Sequence, residues 1–267
     1  MTSTTLFIES VALWAPTLPG WDLARAAFRG EAASAEPPAR RPSPELLPAA
    51  ERRRAPDTVA LALEVASHAV ARSGLAPTEL LSVFTSCQGD LGITDYVCST
   101  LVSAPMLVSP TRFHNSVHNA ASGYWGIATG CTQASTAVSA FECSFSAGLL
   151  EAATQAVAES RPVLLVGYDI AACDALVSTT ASRGLLAVAL VLAPHASART
   201  LAALDWSLVS GPAAPVPLRS EAALPLATNA MADALPLFEA LARVDGAPLH
   251  MPLSATLALK VQLSRFA

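Results

Sequence analysis

Apolar and polar positions along the chain alternate between the two periods that mark strands and helices. Residues 5–14 (TLFIESVALW) form a β-rich run and predict a strand, and a short helix follows over 22–28 with Gly30 to stop it. Beyond residue 57, apolar side chains recur at Val59, Leu61, Leu63, Val65, Ala66 and Val70. That spacing predicts a helix to about Arg72, with Asp57-Thr58 as N-cap and Ser73-Gly74 as its end. A strand is predicted over 80–86 and a helix over 93–101. Residues 134–140 predict a strand that turns sharply into a helix over 143–158. The stretches 161–170 and 185–193 are nearly unbroken apolar runs, the mark of strands covered on both faces. Strands and helices in this order point to an α/β fold with a mixed, largely buried sheet. Further on, 201–209 predicts a strand and 229–243 a helix kinked or split at Pro236. Leu257, Leu259, Val261 and Leu263 alternate with polar or small residues, as in a half-exposed closing strand.

Two stretches break the pattern. Residues 31–57 hold Pro37, Pro38, Pro42, Pro44, Pro48 and Pro56 and read as an irregular Pro/Arg-rich excursion. Its run Arg52-Arg53-Arg54 reads either as a solvated face or as a docking site for an acidic partner. Residues 109–130 read as a loop followed by a small-residue helix. His114 and His118 stand i, i+4 and would suit a metal ion only on a helix, whereas Pro110 and the Asn/Ser-rich surroundings favour a loop. No metal site is therefore expected. Asn119 reads as a cap for the following helix.

Composition sharpens this picture. Of 267 residues, 52% are hydrophobic and 14% charged, which implies a large buried core and a surface poor in charge that suits a partner. A net charge of -5 argues against nucleic acid, which needs a basic face. The longest clean apolar run, 185–193, falls far short of the roughly 20 residues of a membrane span. The amino terminus lacks a basic stretch followed by an apolar one. The expectation is a cytoplasmic protein with no membrane span. The cysteines Cys87, Cys98, Cys131, Cys143 and Cys173 are odd in number and form no Cys-x-x-Cys, so they read as free thiols. There is no Gly-x-Ser-x-Gly elbow, no phosphate-cradling Gly-x-x-x-x-Gly-Lys and no Gly-x-Gly-x-x-Gly, and no cofactor is expected. Asp169 and Asp174, after the apolar run, read as turn caps.

Four segments carry a resemblance: ERRRAPDTVALALEVASHAVARSGL at 51–75, VFTSCQGD at 83–90, FHNSVHNAASGYWGIATG at 113–130, and STAVSAFECSFSAGLLEAA at 135–153 followed by PVLLVGYD at 162–169. In order and spacing they resemble the amino-terminal half of a β-ketoacyl synthase of the thiolase fold. They look most like the short chain-length-factor subunits of bacterial aryl polyene and related pigment pathways. The resemblance implies a thiolase-like α/β fold, of the five-layer sheet/helix type, with a shortened C-terminal half. Residues 1–200 would form the amino-terminal half, and 201–267 a reduced second half on the same core.

In active synthases of this family a cysteine sits where a strand turns into a helix, and the helix N-terminus favours its thiolate. The thiolate takes an acyl group from a carrier protein, and two histidines assist decarboxylation of a malonyl unit. This chain departs from that pattern. The corresponding residues are Ser139-Ala140-Phe141, then Glu142 and Cys143. One register puts Phe141 in the nucleophile's place and another puts Glu142 there. Cys143 lies one or two residues further on, which on a helix rotates it by about 100° or 200°. It reads as a small buried residue beneath the helix. The family's histidine contexts, His-Gly-Thr-Gly and Gly-Phe-Gly-Gly, are absent, and His250 is the one histidine after residue 200.

The resemblance then implies a non-catalytic subunit. It would pair with an active β-ketoacyl synthase along the strand at 134–140, shape the acyl pocket and meet an acyl carrier protein through the complex. His114, Asn115, His118 and Asn119 would lie near interface and channel, and Arg52, Arg53 and Arg54 would be candidates for docking the carrier. Two alternatives stand beside this: an acyltransferase or thioesterase using Cys143 or Glu142, and a homodimeric carrier-binding protein.

Overall fold

A computed structural model describes residues 4–213 and 216–266. In chain order its elements are β1 (Thr4–Ala15), β2 (Leu18–Pro19), α1 (Trp21–Arg29), α2 (Ala49–Arg54), α3 (Asp57–Ser73), β3 (Leu81–Thr85), α4 (Leu91–Ser103), α5 (Pro110–His114), α6 (Ala120–Thr129), β4 (Ser135–Val138), α7 (Ser144–Glu159), β5 (Val163–Asp169), β6 (Leu186–Ala193), β7 (Ala202–Ser210), α8 (Leu235–Arg243), β8 (Leu249–Ser254) and β9 (Leu257–Arg265).

The strands form one mixed sheet in the order β4-β3-β5-β6-β1-β7-β9-β8, with β2 paired to β1. The β4-β3-β5 end is parallel, and from β5 onward every pairing is antiparallel. Strands β3, β5 and β6 are buried at every position because helices cover both faces, and the polar side chains among them, Ser82, Thr85 and Asp169, find hydrogen-bond partners inside. One apolar core unites α3 and α6 with one face, and a second unites α1, α7 and α8 with the other. The second core draws on Leu6 and Leu165 as well as Leu237 and Leu259, so residues after 200 share it with residues before. Ring contacts of Phe238 at 5.9 Å with both Trp21 and Phe145 tie α8 to α1 and α7. The observed layering is helix, sheet, helix, and the C-terminal half extends this sheet by β7, β9 and β8.

Several local expectations are corrected. Residues 31–57 are not wholly irregular: Ala49–Arg54 forms a helical turn and a half, flanked by Pro48 and Pro56. Neither Asp57 nor Thr58 caps α3. Pro56 takes the N-cap position, and Thr58 Oγ1 donates instead to Asp90 Oδ2 at 3.0 Å. His114 lies on a short helix rather than a loop, because Pro110 suits a first helical turn and Ser109 Oγ accepts from Arg112 N. The helix expected over 229–243 begins at Leu235, after a 3-10 turn at Ala232–Ala234, with Pro236 in its first turn. Strand β8 was not foreseen, since Pro252 interrupts its short apolar pattern. The proline is accommodated at the sheet edge beside a register shift.

Candidate functional site

The strand-to-helix turn after β4 lies where the sequence points. Ser139, Ala140 and Phe141 lead from β4 into a 3-10 turn, Phe141–Cys143, and then α7. Phe141 has φ 54, in the left-handed region that bulky residues avoid. The turn is held by its own hydrogen bonds. Ala140 N donates to Ser144 Oγ at 3.1 Å, Ser144 Oγ to Phe141 O at 2.6 Å and Cys143 N to Ala140 O at 3.0 Å. Below it, Ser139 Oγ donates to Cys87 O at 2.7 Å, and Thr85 Oγ1 to Ser144 O at 2.7 Å. Helix α7 approaches β3 closely at Gly148, where a Cβ would lie 2.8 Å from Thr85 Cγ2.

Two carboxylates underlie the turn. Asp169, at the end of β5 and 3% exposed, accepts from Ser86 Oγ at 2.8 Å and Cys87 N at 3.0 Å. Asp233 arrives from the C-terminal half and accepts from Ser146 N at 3.0 Å and Ser146 Oγ at 3.2 Å, in the first turn of α7. Its Oδ1 is enclosed without a partner. Burial is the main cause that pushes both acids up to about 7, against the hydrogen bonds each accepts, and the charge of Asp169 adds to the effect on Asp233. Asn229 joins the same layer: its Nδ2 donates to Arg183 O at 3.0 Å and Asp169 O at 3.3 Å. Strand β8 packs against the turn and α7.

This setting raises both nearby thiols. Cys143 occupies the N-cap position of α7, where a helix dipole lowers a thiol. Burial, then Asp233 and Glu142, push it the other way. Cys143 is half-buried, not sunk beneath the helix as expected, because it precedes the first helical residue. Cys87 is pushed up to about 12 by burial first, and then by Asp169, Glu142 and Asp233. Both thiols stay protonated near neutrality.

The other candidates separate. His118 reaches the site: its Nε2 lies 2.9 Å from Ser86 O, and its carbonyl accepts from Tyr168 Oη at 3.4 Å. Asn115 is buried with Oδ1 unpartnered, while His114 is exposed. Asn119 takes the N-cap position of α6, but its side chain makes no cap bond. Arg52 is bound to Leu47 O at 2.9 Å, whereas Arg53 and Arg54 are exposed. Among the described residues no group of three or more His, Cys, Asp or Glu is placed to hold a metal ion, and no helix is long and apolar enough to cross a membrane. Asp233 and Asn229 were missed by sequence reasoning. They stand alone in a small-residue stretch, and only the fold brings them to the turn, 87 residues from Ser146 in the case of Asp233.

One face stands out. Of the chain's 16 basic and 21 acidic residues, only Arg112 falls within residues 96–140. In that stretch Leu101, Val102, Met106, Leu107, Phe113 and Ile127 are all exposed. It ends in β4, which among the described residues pairs with β3 alone and has no strand on its other edge.

A family model described as the N-terminal domain of β-ketoacyl synthases matches residues 25–242. No curated protein matches the sequence. Among solved structures, the ketosynthase ApeO in complex with its chain length factor ApeC from Xenorhabdus doucetiae contains a similar chain. The match has a TM-score of 0.74 and 22% identity, and covers 97% of this chain and 99% of that one. A type II polyketide complex, AntDE:AntF, in which an acyl carrier protein is bound to its ketosynthase, matches with TM-score 0.74 and 12% identity over 99% and 100% of the two chains. A β-ketoacyl synthase from Burkholderia phymatum STM815 matches with TM-score 0.60 and 15% identity, covering 90% of this chain but 71% of that one. At these identities the likeness is one of fold.

Proposed function

The chain belongs to the β-ketoacyl synthase family, and from that premise we propose that it is a non-catalytic, chain-length-factor-type subunit. It pairs with an active β-ketoacyl synthase in aryl-polyene-like or related acyl-chain biosynthesis and helps shape the pocket that holds the growing chain. The observation that carries this reading is the turn at Phe141–Cys143. A strand-to-helix turn stands where the resemblance places the family's nucleophile, and its left-handed position holds Phe141, with Glu142 next to it. A phenyl ring cannot take an acyl group. Burial, then Asp233 and Glu142, push the Cys143 thiol up, which counts against an acyltransferase or thioesterase built on it.

Pairing is supported by the face at 96–140. An uncharged stretch with exposed large apolar side chains, ending in an open edge strand, is a surface that another chain stabilises. The near-complete mutual coverage with a chain from a ketosynthase–chain length factor complex fits the same reading. An acidic carrier protein would meet the complex through Arg53 and Arg54. Arg52 contributes less, because its guanidinium already serves Leu47 O.

The test is affinity purification of the tagged chain from its native host, at native mass and at high salt. The expected result is one-to-one recovery of a longer synthase that carries a cysteine and two histidines. A homodimer alone, with acyl label on Cys143, would replace this reading by the enzymatic one.

A further inference from the structure

A small apolar pit lies on the face of the sheet that carries α1 and α8. Its volume is about 150 Å³. Three adjacent strands supply its base through Val11 of β1, Ala202 of β7 and Leu263 of β9, each 3% exposed or less. Trp21 of α1 and Leu241 of α8 line its sides. The mouth is basic. Arg25 and Arg29 line the pit and are both exposed, which puts them where it opens to water. They stand i, i+4 on α1, a spacing that sets like charges against each other. Arg29 serves the fold, because it donates to Ala242 O and lies 3.8 Å from Glu31 Oε1. Arg25 has no such partner among the described residues, and the acid nearest to it in sequence, Asp22, is held by Arg72 at 2.6 Å.

Val244, which also lines the pit, is strained. It ends α8 at φ 54 and ψ 47, in the left-handed region. Among the described non-glycine residues with positive φ it is the one with a β-branched side chain, the type that this conformation suits least. Helices α1 and α3 end in the same conformation with glycine, at Gly30 and Gly74, and escape that strain. At Val244 a side chain is kept despite its cost, and strain of that kind gathers at ligand sites. A mere gap in packing would need neither the strained valine nor two guanidinium groups beside one opening. Chemistry says what fits. The base and sides are apolar, and a cavity of about this volume accommodates a body the size of benzene. The mouth offers two permanent cations with paired N–H donors, which suit a carboxylate.

We propose that this pit is a binding site for a small apolar carboxylate, with a body of about six carbons held against Val11, Ala202 and Leu263 and its carboxylate between Arg25 and Arg29. The site is separate from the turn at Phe141–Cys143, since β3, β5 and β6 stand between β4 and β1 in the sheet. It does not depend on the pairing proposed above. The ligand binds and leaves unchanged, with no covalent step. Binding adds a tie between α1 and α8, which already hold each other through Arg29 on Ala242 O and Arg243 on Phe28 O.

The experiment titrates the full chain with hexanoate and benzoate by calorimetry, with hexanamide and benzamide as their uncharged counterparts. One-to-one, saturable binding is expected for at least one acid, with Kd at or below about 1 mM, a melting temperature that rises with ligand, and affinity at least about tenfold weaker for the matching amide. Arg25→Gln should weaken binding of the acid by about tenfold or more and leave the melting temperature of the ligand-free chain unchanged. Ala202→Leu fills the pit and should abolish binding. Val244→Gly should melt higher than wild type without ligand, yet bind the acid less tightly. No saturable binding of either acid up to about 10 mM would overturn the proposal. So would an amide that binds as tightly as its acid, or an acid that binds Arg25→Gln and Val244→Gly as tightly as wild type, since the ligand would then sit elsewhere. Should Ala202→Leu fail to fold, the other two variants decide the matter.

Discussion

The two ends of the sheet are built by opposite rules. At one end, β8 carries Pro252 and a register shift, and its partner β9 turns back over it as a hairpin. Proline removes a donor, the shift breaks the ladder, and the edge offers little to a new strand. At the other end, β4 is Ser135-Thr136-Ala137-Val138, with no proline, no charge and alternating exposure. It follows a stretch from residue 96 that exposes Met106 and Ile127 almost completely. A folded protein that guards one edge and leaves the other bare has a use for the bare one. The difference also locates function. The strained Phe141 and the half-buried Cys143 follow directly on the unguarded strand, and Asp233 meets the helix that comes next.

The comparison breaks most directly with a charge on the open edge. Ala137 is exposed, so Ala137→Lys should leave the isolated chain folded, with a stability change within about 0.5 kcal/mol. A lysine at the centre of a paired edge would be desolvated against the partner strand. We expect affinity for the partner synthase to fall by about a thousandfold, or roughly 4 kcal/mol. Ser254→Lys at the exposed end of β8 is the control and should leave affinity unchanged. Equal losses at both edges in a binding titration would remove the distinction between them.

Acidity should act on the unguarded end too. Asp169 and Asp233 are both raised from 3.8 to about 7 in the folded chain. The native state thus holds protons that the unfolded state releases, and stability falls as pH rises from about 4 to about 7, then levels off. At roughly 1.4 kcal/mol per unit, such a shift makes the loss on the order of 4 kcal/mol for each acid, read from denaturant midpoints across that range. Asp233→Asn keeps an acceptor for Ser146 and removes one titrating group, so its slope should be shallower than that of wild type. A slope as steep as wild type would show that Asp233 does not titrate in this window.

Packing beneath the turn gives a smaller effect. Gly148→Ala places a methyl 2.8 Å from Thr85 Cγ2 and 3.3 Å from Leu165 Cδ1, where β3, β5 and α7 meet. The expected cost is about 1–3 kcal/mol by chemical denaturation. The same change at Gly20, where a Cβ meets nothing within 4 Å, tests backbone strain alone because φ there is 128. A neutral Gly148→Ala would mean that α7 can move away from β3, and that the turn is held less firmly than its hydrogen bonds imply.

Much of this was legible in the chain. The apolar runs behind β5 and β6 reveal strands covered on both faces, because apolar side chains fill successive positions until Tyr168 and Asp169 at the end of β5. Gly74 ends α3 where its pattern ends, in the left-handed conformation. The turn at 139–143 was legible as a strand meeting a helix. What stayed hidden depends on distance in sequence. Strand β8 looks like a broken run until β9 pairs with it, and α2 is too short to show a period between two prolines. Asp169 reads as a local cap, yet its partners are Ser86 and Cys87, more than eighty residues back. Nothing about Asp233 alone says that it will meet the start of α7.

The smallest effect bears on why the open end keeps a strained residue. At φ 54, glycine costs nothing in backbone energy, whereas alanine keeps the strain and loses only the ring. Half of the Phe141 ring is already in water, so truncation forfeits little burial. Phe141→Gly should therefore be more stable than Phe141→Ala by about 0.5–1 kcal/mol, and at least equal to wild type, in thermal melts of the isolated chain. That ordering would mean the phenylalanine is held against stability, which fits a residue kept for something other than the fold of its own chain. Were wild type the most stable of the three by more than about 1 kcal/mol, the ring would be serving the fold of its own chain, and the unguarded end would owe its shape to internal packing.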